Sequence, residues 1–247
     1  MIPRIKQAWK SRHFEPGLAS LAANPYHLAR TRLHKSLSIH APSLRGRVLD
    51  VGCGSKPYAK LFSNATSYEG LDIDQPRNRE RAIADHFYAG GDFPFPDESF
   101  DNVVCSQVLE HVFDPDRFCA ELARILIPGG KLLLTVPFIW DEHEQPWDSR
   151  RYTSFGLRDL MEKSGFKVLV QEKLLIGYPA IVQLIQARLQ KGRLGMLQQL
   201  PGKFPRLLEF SNAPLNLLGE LIQALPTSDS DLYLDNFLLL ERKHSNA

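Results

Sequence analysis

The residues best suited to chemistry form two short groups, each at the end of a predicted strand. The first group is Val48–Gly54, with the sequence V-L-D-V-G-C-G, and the second is Gly70–Asp72. Glycines at a strand-to-helix turn let the backbone approach a ligand closely and let the next helix face it with its N-terminus. Asp72 is placed where a carboxylate can accept hydrogen bonds from both hydroxyls of a ribose. The spacing predicts a pocket for a ligand that contains adenosine.

The charge of the glycine turn favours one such ligand over another. A dinucleotide-binding turn has a third glycine at the position that Pro57 occupies in this chain. Asp50 lies directly before the turn, where its negative charge would repel a pyrophosphate. The same charge would attract the amino group and the sulfonium cation of S-adenosylmethionine (SAM). SAM is therefore the predicted cofactor, and a nicotinamide-dependent oxidoreductase is the alternative from a second enzyme class.

Four segments in the right order resemble the class I SAM-dependent methyltransferases, in the small-molecule branch with a type 11-like domain. These segments are Val48–Gly54, Gly70–Asp72, the run Phe93–Val104 with Leu109–His111, and Leu126–Leu132. The resemblance covers roughly residues 47–170, with 232–241 as the seventh, antiparallel strand. It implies an enzyme that transfers a methyl group to a small-molecule or lipid-like acceptor. A non-catalytic SAM-binding accessory protein is the alternative that is not an enzyme.

The resemblance also implies which residues bind the cofactor. Residues of the glycine turn would surround the methionine end, namely Asp50, Gly52, Cys53 and Gly54. Asp72 would hold the ribose, Ile73 would cover one face of the adenine, and Gln107 would line the pocket near the reactive sulfur.

The residue expected to accept a hydrogen bond from the adenine amine departs from the family pattern. The position at which family members often have an acid is Ala89 here. The segment that ends in Asp92 and Phe93 would lie beside the amine. Either the Asp92 carboxylate or a backbone carbonyl would then accept its hydrogen bond.

The segment 140–153, which follows the fifth predicted strand, is unusually polar and aromatic for a connecting loop. It resembles a His-Glu-x-Pro-x-Asp…Arg-Tyr-Thr loop in a subset of these methyltransferases. We predict that His143 acts as a base or orients the acceptor, and that Trp147, Arg151 and Tyr152 shape the acceptor site. Arg151 would pair with an acidic group of the substrate. The alternative is a lid in which arginine and aspartate pair with each other.

No metal site is predicted from the sequence. Glu142, His143 and Glu144 carry suitable ligand atoms, but adjacent residues seldom point at one ion. His111, which follows Glu110, is interpreted as a helix cap or a support for the cofactor site.

The order of strands and helices from residue 47 onward predicts the fold class. Short apolar strands alternate with amphipathic helices, which is typical of a parallel sheet covered on both faces. The predicted fold is α/β, a Rossmann-like doubly wound sheet that is mostly parallel and has an antiparallel last strand. A helical arm over 1–45 precedes a methyltransferase domain formed by 46–174 and 231–243. A helical insertion over 175–230 interrupts that domain and would act as a cap, a dimer surface or a membrane-surface patch.

Individual elements are predicted as follows. Helices are expected at 56–62, 116–126 and 154–164, and several short amphipathic helices within 175–230. Strands are expected at 47–51, 67–72, 100–106, 131–136, 166–172 and 232–241. The turn Pro128-Gly129-Gly130 is expected to separate the helix 116–126 from the strand that follows.

Composition and charge limit the class of protein and its partners. The chain has 247 residues, a net charge of +2 and 43% hydrophobic residues, which is typical of a globular domain. Three cysteines without a disulfide or metal-ligand spacing, and no signal peptide, predict a cytoplasmic protein. The longest uncharged run, 174–187, is too short for a transmembrane span. Contact with a membrane surface remains open, and the oligomeric state is not predicted.

Nucleic acid is not expected as a partner. The segment after the fourth strand, Cys105–Val108, lacks the Asn-Pro-Pro-Tyr type of motif of nucleic-acid methyltransferases. The first 49 residues contain one acidic residue, Glu15, among many basic ones. This basic arm leaves RNA methylation as a further alternative.

Overall fold

The computed structural model describes residues 14–197, 212–224 and 231–244, without the side chains of 193–197. The chain forms two compact units. One unit comprises 37–173 and the residues from 235 onward, and it contains most of a seven-stranded sheet. The other comprises the residues up to 36 together with 174–234, and its described part is largely helical.

The strands of the sheet are β1 Gly46–Val51, β2 Ala65–Ile73, β3 His86–Tyr88, β4 Phe100–Ser106, β5 Leu126–Pro137, β6 Phe166–Ile176 and β7 Tyr233–Arg242. Their order across the sheet is β3-β2-β1-β4-β5-β7-β6. The pairs from β3 to β5 are parallel, whereas β7 runs antiparallel to β5, with Lys131 opposite Glu241. The predicted Rossmann-like sheet with an antiparallel last strand is confirmed. Because the strand order reverses between β1 and β4, the carboxyl ends of these strands open a crevice.

The central strands are continuous apolar runs because helices cover both faces of a parallel sheet. Leu49, Val103 and Leu132 lie in β1, β4 and β5 and are fully buried. The helices of this unit are the C-terminal part of α2 (His27–His40), α3 (Pro76–Arg81), α4 (Pro115–Ile125) and α5 (Ser154–Lys163). Buried residues at helical spacing on α4, namely Phe118, Leu122 and Ile125, contribute to the same core.

Side-chain caps define where α4 and α5 begin. The Asp114 carboxylate accepts a hydrogen bond from the Arg117 N–H at 3.2 Å, and Pro115 follows in the first turn. The Thr153 hydroxyl accepts from the Gly156 N–H at 3.1 Å. Such caps satisfy N–H groups that have no partner inside the helix. Gly165, with a φ of +89°, follows the end of α5, as a glycine in the left-handed region commonly does.

Two predictions for the unit that contains most of the sheet are wrong. The helix expected at 56–62 is only a single 3₁₀ turn, Ala59–Leu61, because Lys56 has a φ of +50° and cannot belong to a right-handed helix. The turn Pro128-Gly129-Gly130 does not separate α4 from β5, because β5 begins directly at Leu126 and includes it. The pairing of β4 with β5 shifts in register between Phe100 and Asn102, which accommodates the extra residues at the start of β5. A Cβ on Gly130 would lie 2.8 Å from the Asp101 carbonyl oxygen, so only glycine permits this pairing.

The described part of the helical unit contains α1 (Leu18–Ala23), the first part of α2, α6 (Tyr178–Leu197) and α7 (Ala213–Gln223). The expectation of several short helices is wrong for the first of them, because α6 is 20 residues long. Its Pro179 lies in the first turn, where a missing N–H is tolerated.

Buried amides hold this unit together. The Gln183 side chain accepts from the Ala29 N–H at 3.1 Å and donates to the Pro25 carbonyl at 2.8 Å. Segments that the sequence analysis assigned to an N-terminal arm and to an insertion therefore belong to one unit. Among the described helices, none has the length and apolarity that a bilayer crossing requires.

Candidate active site

The glycine turn after β1 is held by backbone hydrogen bonds to the end of β2. The N–H groups of Gly52 and Cys53 both donate to the Leu71 carbonyl, at 2.8 and 3.2 Å. Gly52 has a φ of +71°, and a Cβ there would lie 2.3 Å from Cγ2 of Val108. Gly54 has a φ of +48°, but a Cβ there would meet no described atom within 4 Å. Gly52 is thus required for packing as well as for its φ, whereas Gly54 borders open space.

Asp72 connects the glycine turn to the end of β2. Its Oδ2 accepts from the Gly54 N–H at 2.9 Å, and its Oδ1 accepts from the Ile73 N–H at 2.8 Å and from Asn78 at 2.7 Å. Asp72 as a whole residue is buried, with 7% of its surface exposed. Oδ2 keeps one lone pair beyond the Gly54 bond, so the group retains the capacity to accept from a ligand hydroxyl. Asn78 was not recognised in the sequence, since its position on α3 becomes meaningful only beside Asp72.

Asp50 is a buried carboxyl group next to the turn. The Tyr68 hydroxyl donates to its Oδ2 at 2.7 Å, and only 6% of the residue is exposed. Burial raises the pKa of Asp50 to about 7, although the hydrogen bond from Tyr68 and the charge of Lys56 act in the opposite direction. A cationic ligand would stabilise the ionised form. Contact of Asp50 with the ammonium group of SAM stays a prediction, and the half-buried Tyr68 that donates to Asp50 was not identified from the sequence.

An ion pair closes the outer side of the glycine turn. Lys56 contacts the Asp85 carboxylate, which also accepts from the Gly70 N–H at 2.7 Å. The Ile83 N–H donates to the Gly54 carbonyl at 2.6 Å. A Cβ on Gly70 would lie 2.6 Å from the Cys53 sulfur, so the Cys53 thiol packs over Gly70. Cys53 is buried, and burial raises the pKa of its thiol.

The residues predicted near the adenine differ in their surroundings. Asp92 is 74% exposed and pairs with Arg117 at 2.7 Å. Phe93 is buried, and its N–H donates to the Glu121 carboxylate at 2.6 Å. Ile73 is half-buried at the end of β2. Contact of these three with an adenine stays a prediction.

Gln107 follows β4 with a φ of +58°, an uncommon conformation for a residue with a side chain. Its amide donates to the Thr135 hydroxyl at 3.3 Å and to the Asp235 carboxylate at 3.2 Å. Its backbone N–H donates to the Thr135 carbonyl at 2.9 Å. Burial raises the pKa of Asp235 to about 6. Sequence reasoning missed Asp235 because only the antiparallel β7 brings it to this edge.

Arg151 lies in the loop after β5 and pairs with an aspartate of the same loop. Its two terminal nitrogens contact the two oxygens of Asp148 at 2.5 and 2.6 Å. The guanidinium also donates to the carbonyls of Trp140 and Asp141 at 3.4 and 3.2 Å. Burial alone would raise the pKa of Asp148, but the hydrogen bonds from Arg151 and from the His143 N–H lower it to about 2. The structure has the arginine–aspartate pair of the alternative interpretation, so Arg151 positions the loop.

His143 and Tyr152 occupy different environments in this loop. The His143 Nδ1 lies 3.2 Å from the Asp141 carbonyl oxygen and 3.3 Å from Asp148 Oδ2. The edge of its ring faces His111, with 4.8 Å between the centroids. Tyr152 packs against the core, and its buried hydroxyl has no hydrogen-bond partner among the described residues. Trp147, also predicted here, is exposed and contacts Phe113.

The 3₁₀ turn Leu109–His111 contributes a buried carboxyl group that the sequence analysis did not assign to the site. Glu110 is 0% exposed, and neither of its oxygens accepts a hydrogen bond from another described residue. Its backbone carbonyl accepts from the N–H groups of Ser149 and Arg150, at 2.9 and 3.2 Å. Burial raises the pKa of Glu110 to about 8 and lowers the pKa of His111. The turn after β4 and the loop after β5 are thus joined at Glu110.

Comparison with known proteins agrees with the motifs of this crevice. Residues 49–134 match the family described as "Methyltransferase domain". The chain is 33% identical over 133 residues to a probable S-adenosylmethionine-dependent methyltransferase of Mycolicibacterium smegmatis, a match that covers 49% of this chain and 52% of the relative. A fatty-acid O-methyltransferase of the same organism is 36% identical over 116 residues, 42% of each chain. A probable tRNA methyltransferase 9B of Homo sapiens is 31% identical over 102 residues, which cover 38% of this chain and 21% of the relative.

A solved structure supports the fold over a larger part of the chain. A putative sarcosine dimethylglycine methyltransferase from Galdieria sulphuraria has a TM-score of 0.57 and covers 87% of each chain, with 15% identity. At that identity the likeness concerns the fold alone. The chain spans about half the length of the curated relatives it matches.

Proposed function

We propose that this protein, in which residues 49–134 lie in a class I SAM-dependent methyltransferase domain, transfers the methyl group of SAM to a small-molecule or lipid-like acceptor. The observation that carries the proposal is the 2.9 Å hydrogen bond from the Gly54 N–H to Asp72. It joins the glycine turn and the carboxylate proposed to hold the ribose in one preformed unit. Preformed contacts lower the cost of ordering a site when the ligand binds.

The cofactor side offers a group for each end of SAM. When bound, SAM supplies a methyl group already activated by a positively charged sulfur. Asp50 would pair with the ammonium group, Asp72 would accept from the ribose, and Gly54 would leave room for the ligand. Gln107, held by Thr135 and Asp235, would line the pocket near the sulfur.

On the acceptor side, the chain would orient a nucleophile and exclude water. We assign this role to the loop after β5, which Arg151 and Asp148 hold in place. His143 would orient the acceptor or take up its proton if the nucleophile is a hydroxyl group, since such a nucleophile benefits from a general base. The fatty-acid O-methyltransferase among the relatives supports a lipid-like acceptor.

The cofactor half of the proposal is tested by calorimetry with SAM and with its demethylated product. Asp72→Ala is expected to weaken SAM binding by at least about tenfold, since a hydrogen bond from a ligand to a charged group contributes about 1.5–3 kcal/mol. Asp74→Ala is the matched control, because Asp74 lies two residues further on and pairs with Arg79 on the surface. Equal affinities of the two variants for SAM would remove Asp72 from the ribose site.

The acceptor half is tested by incubating the protein with methyl-labelled SAM and a cell extract that has been separated into lipid, aqueous small-molecule and RNA fractions. Label in the lipid or aqueous fraction supports the proposal. Label in RNA would favour the second candidate, which rests on the tRNA methyltransferase relative and the basic N-terminal residues. SAM binding without label in any fraction would favour a non-catalytic SAM-binding protein.

A further inference from the structure

Three potential metal ligands meet between two loops of the sheet unit. Glu110 and His111 follow β4, and His143 follows β5. One ligand atom from each residue lies within 4.8 Å of the other two. In the sequence, the candidate metal ligands beside His143 are its neighbours Glu142 and Glu144, whereas the fold brings His143 to a different pair of residues.

The Glu110 carboxyl group points to a missing partner. It is completely buried, and both of its oxygens lack a hydrogen bond from another described residue. The His111 Nε2 lies 3.9 Å from Oε1 of Glu110, which is too far for a hydrogen bond. Buried polar groups are nearly always paired, because burial without a partner costs free energy. A cation between Glu110 and the two imidazoles would satisfy it.

His143 is oriented as a metal-binding histidine commonly is. Its Nδ1 faces the Asp141 carbonyl at 3.2 Å and the Asp148 carboxylate at 3.3 Å. These acceptors favour the tautomer with the proton on Nδ1, which leaves the lone pair of Nε2 available. A carboxylate or carbonyl behind the imidazole is the usual outer contact of a ligating histidine. Arg151 in turn fixes Asp148.

We propose that Glu110, His111 and His143 bind a divalent transition-metal ion of the Zn²⁺ type. Two imidazoles and one carboxylate suit such ions, whereas Mg²⁺ and Ca²⁺ prefer oxygen ligands. Ligand atoms about 2.0–2.2 Å from a tetrahedral Zn²⁺ lie about 3.4 Å apart. Since the ligand atoms now lie within 4.8 Å of one another, they need to approach by at most about 1.4 Å.

Three protein ligands leave one position of a tetrahedral site open to water or to an oxygen atom of a small molecule. An acceptor hydroxyl or carboxylate is such a ligand, and this extension rests on the proposed function. With the metal bound, His143 orients the acceptor through the ion and does not take up its proton, because its Nε2 lone pair is held by the metal. The binding of the metal itself requires neither SAM nor an acceptor.

The test is a titration of the full-length, metal-stripped protein with Co²⁺, followed by visible absorption, and with Zn²⁺, followed by calorimetry. We expect one equivalent of either ion to bind, with Co²⁺ absorption typical of tetrahedral nitrogen and oxygen ligands, and no comparable binding of Mg²⁺. Glu110→Gln and His143→Ala should each weaken Zn²⁺ binding by about 10- to 100-fold or more. His86→Ala is the matched control, since His86 is half-exposed and pairs with Glu69, and it should bind Zn²⁺ as the wild type does.

Circular dichroism and SAM calorimetry on the same variants report whether each is folded. His143 is partly exposed, so His143→Ala keeps the test informative if Glu110→Gln does not fold. Absence of Zn²⁺ binding to the wild type, or wild-type affinity in a folded His143→Ala variant, overturns the proposed metal site. Either result leaves the SAM proposal intact, because SAM binding is measured separately.

Discussion

The two sides of the crevice differ in how completely their polar groups are paired. On the cofactor side, Asp50 and Asp72 are buried and hydrogen-bonded to described partners. On the side proposed for the acceptor, Glu110, the Nδ1 of His111 and the Tyr152 hydroxyl are buried without such partners in the described residues. A fully paired site is preorganised, whereas unpaired buried groups cost free energy until a ligand or ion satisfies them. The polar groups of the cofactor side are thus paired within the chain itself, and the unpaired groups of the other side agree with the proposal that a bound ion or ligand satisfies them.

The largest effect is expected on the cofactor side, at Gly52. Gly52→Ala puts a Cβ 2.3 Å from Val108 and forces alanine to a φ of +71°. The turn must therefore move. We expect SAM affinity, measured by calorimetry, to fall by about 100-fold or more, because the backbone strain of about 1–3 kcal/mol adds to the loss of contacts with the ligand. Gly54→Ala meets no described atom, so it should lower the free energy of unfolding less than Gly52→Ala does, although its Cβ would enter the space proposed for the ligand. Denaturant unfolding of both variants without SAM checks this order, and equal losses would contradict it.

His143→Ala should lower the activity of the acceptor side without affecting the cofactor side. We expect turnover of the acceptor to fall by about 100-fold with SAM affinity unchanged, because the acceptor side loses either a general base or a ligand of the proposed metal ion. Steady-state kinetics and SAM calorimetry on the same preparation measure both quantities. Loss of SAM affinity would instead assign His143 to the cofactor side.

Arg151→Met tests whether the acceptor loop is held by its ion pair. The substitution leaves Asp148 without its bidentate partner, and we expect the free energy of unfolding to fall by about 1–3 kcal/mol. Turnover should fall with it, while SAM affinity stays the same. Denaturant unfolding of Arg151→Met, Asp148→Asn and the double variant measures the coupling. Additive losses would show that the pair does not act as a unit.

The smallest effect is a pH dependence on the cofactor side. Asp50 has a pKa of about 7 because it is buried, and it faces Tyr68, Lys56 and Asp72. If SAM binds the ionised carboxylate, protonation weakens binding below pH 7, so affinity should rise by somewhat less than about tenfold from pH 6 to 7.5. Calorimetry across this range checks the sign.

Asp50→Asn is the control for that titration. It keeps a group that pairs with Tyr68 but cannot ionise, so its SAM affinity should be weaker and nearly independent of pH. A wild-type slope in this variant would assign the titration to another group.

The sequence predicted the strands and the glycine turn of the cofactor side well, because these elements are local. β1 and β4 are short, largely apolar runs, and the boundaries of β1, β2 and β4 agree with the predicted ones within two residues. The contacts that complete this side were not predicted. Tyr68, Lys56 and Asp85 act through pairing across elements, which no spacing in the sequence encodes.

The acceptor side was predicted less well for the same reason. The composition of the loop identified Arg151, but the sequence left open whether its partner is a substrate or Asp148. Glu110 and His111 were placed by the resemblance near the fourth strand, without their proximity to His143. Short elements such as β3 and α3 were missed because three to six residues carry too little periodicity.

By itself, the sequence determined the alternating α/β order, the glycine turn and the carboxylate at position 72, because backbone conformation and hydrophobic periodicity depend on neighbours along the chain. Only the tertiary structure decided that Asp235 supports Gln107, that Asp148 holds Arg151, and that Glu110 lies beside two histidines without a hydrogen bond from another described residue. These outcomes depend on which strand ends meet at one edge of the sheet. Burial at that edge raises the free-energy cost of every charged group that has no partner.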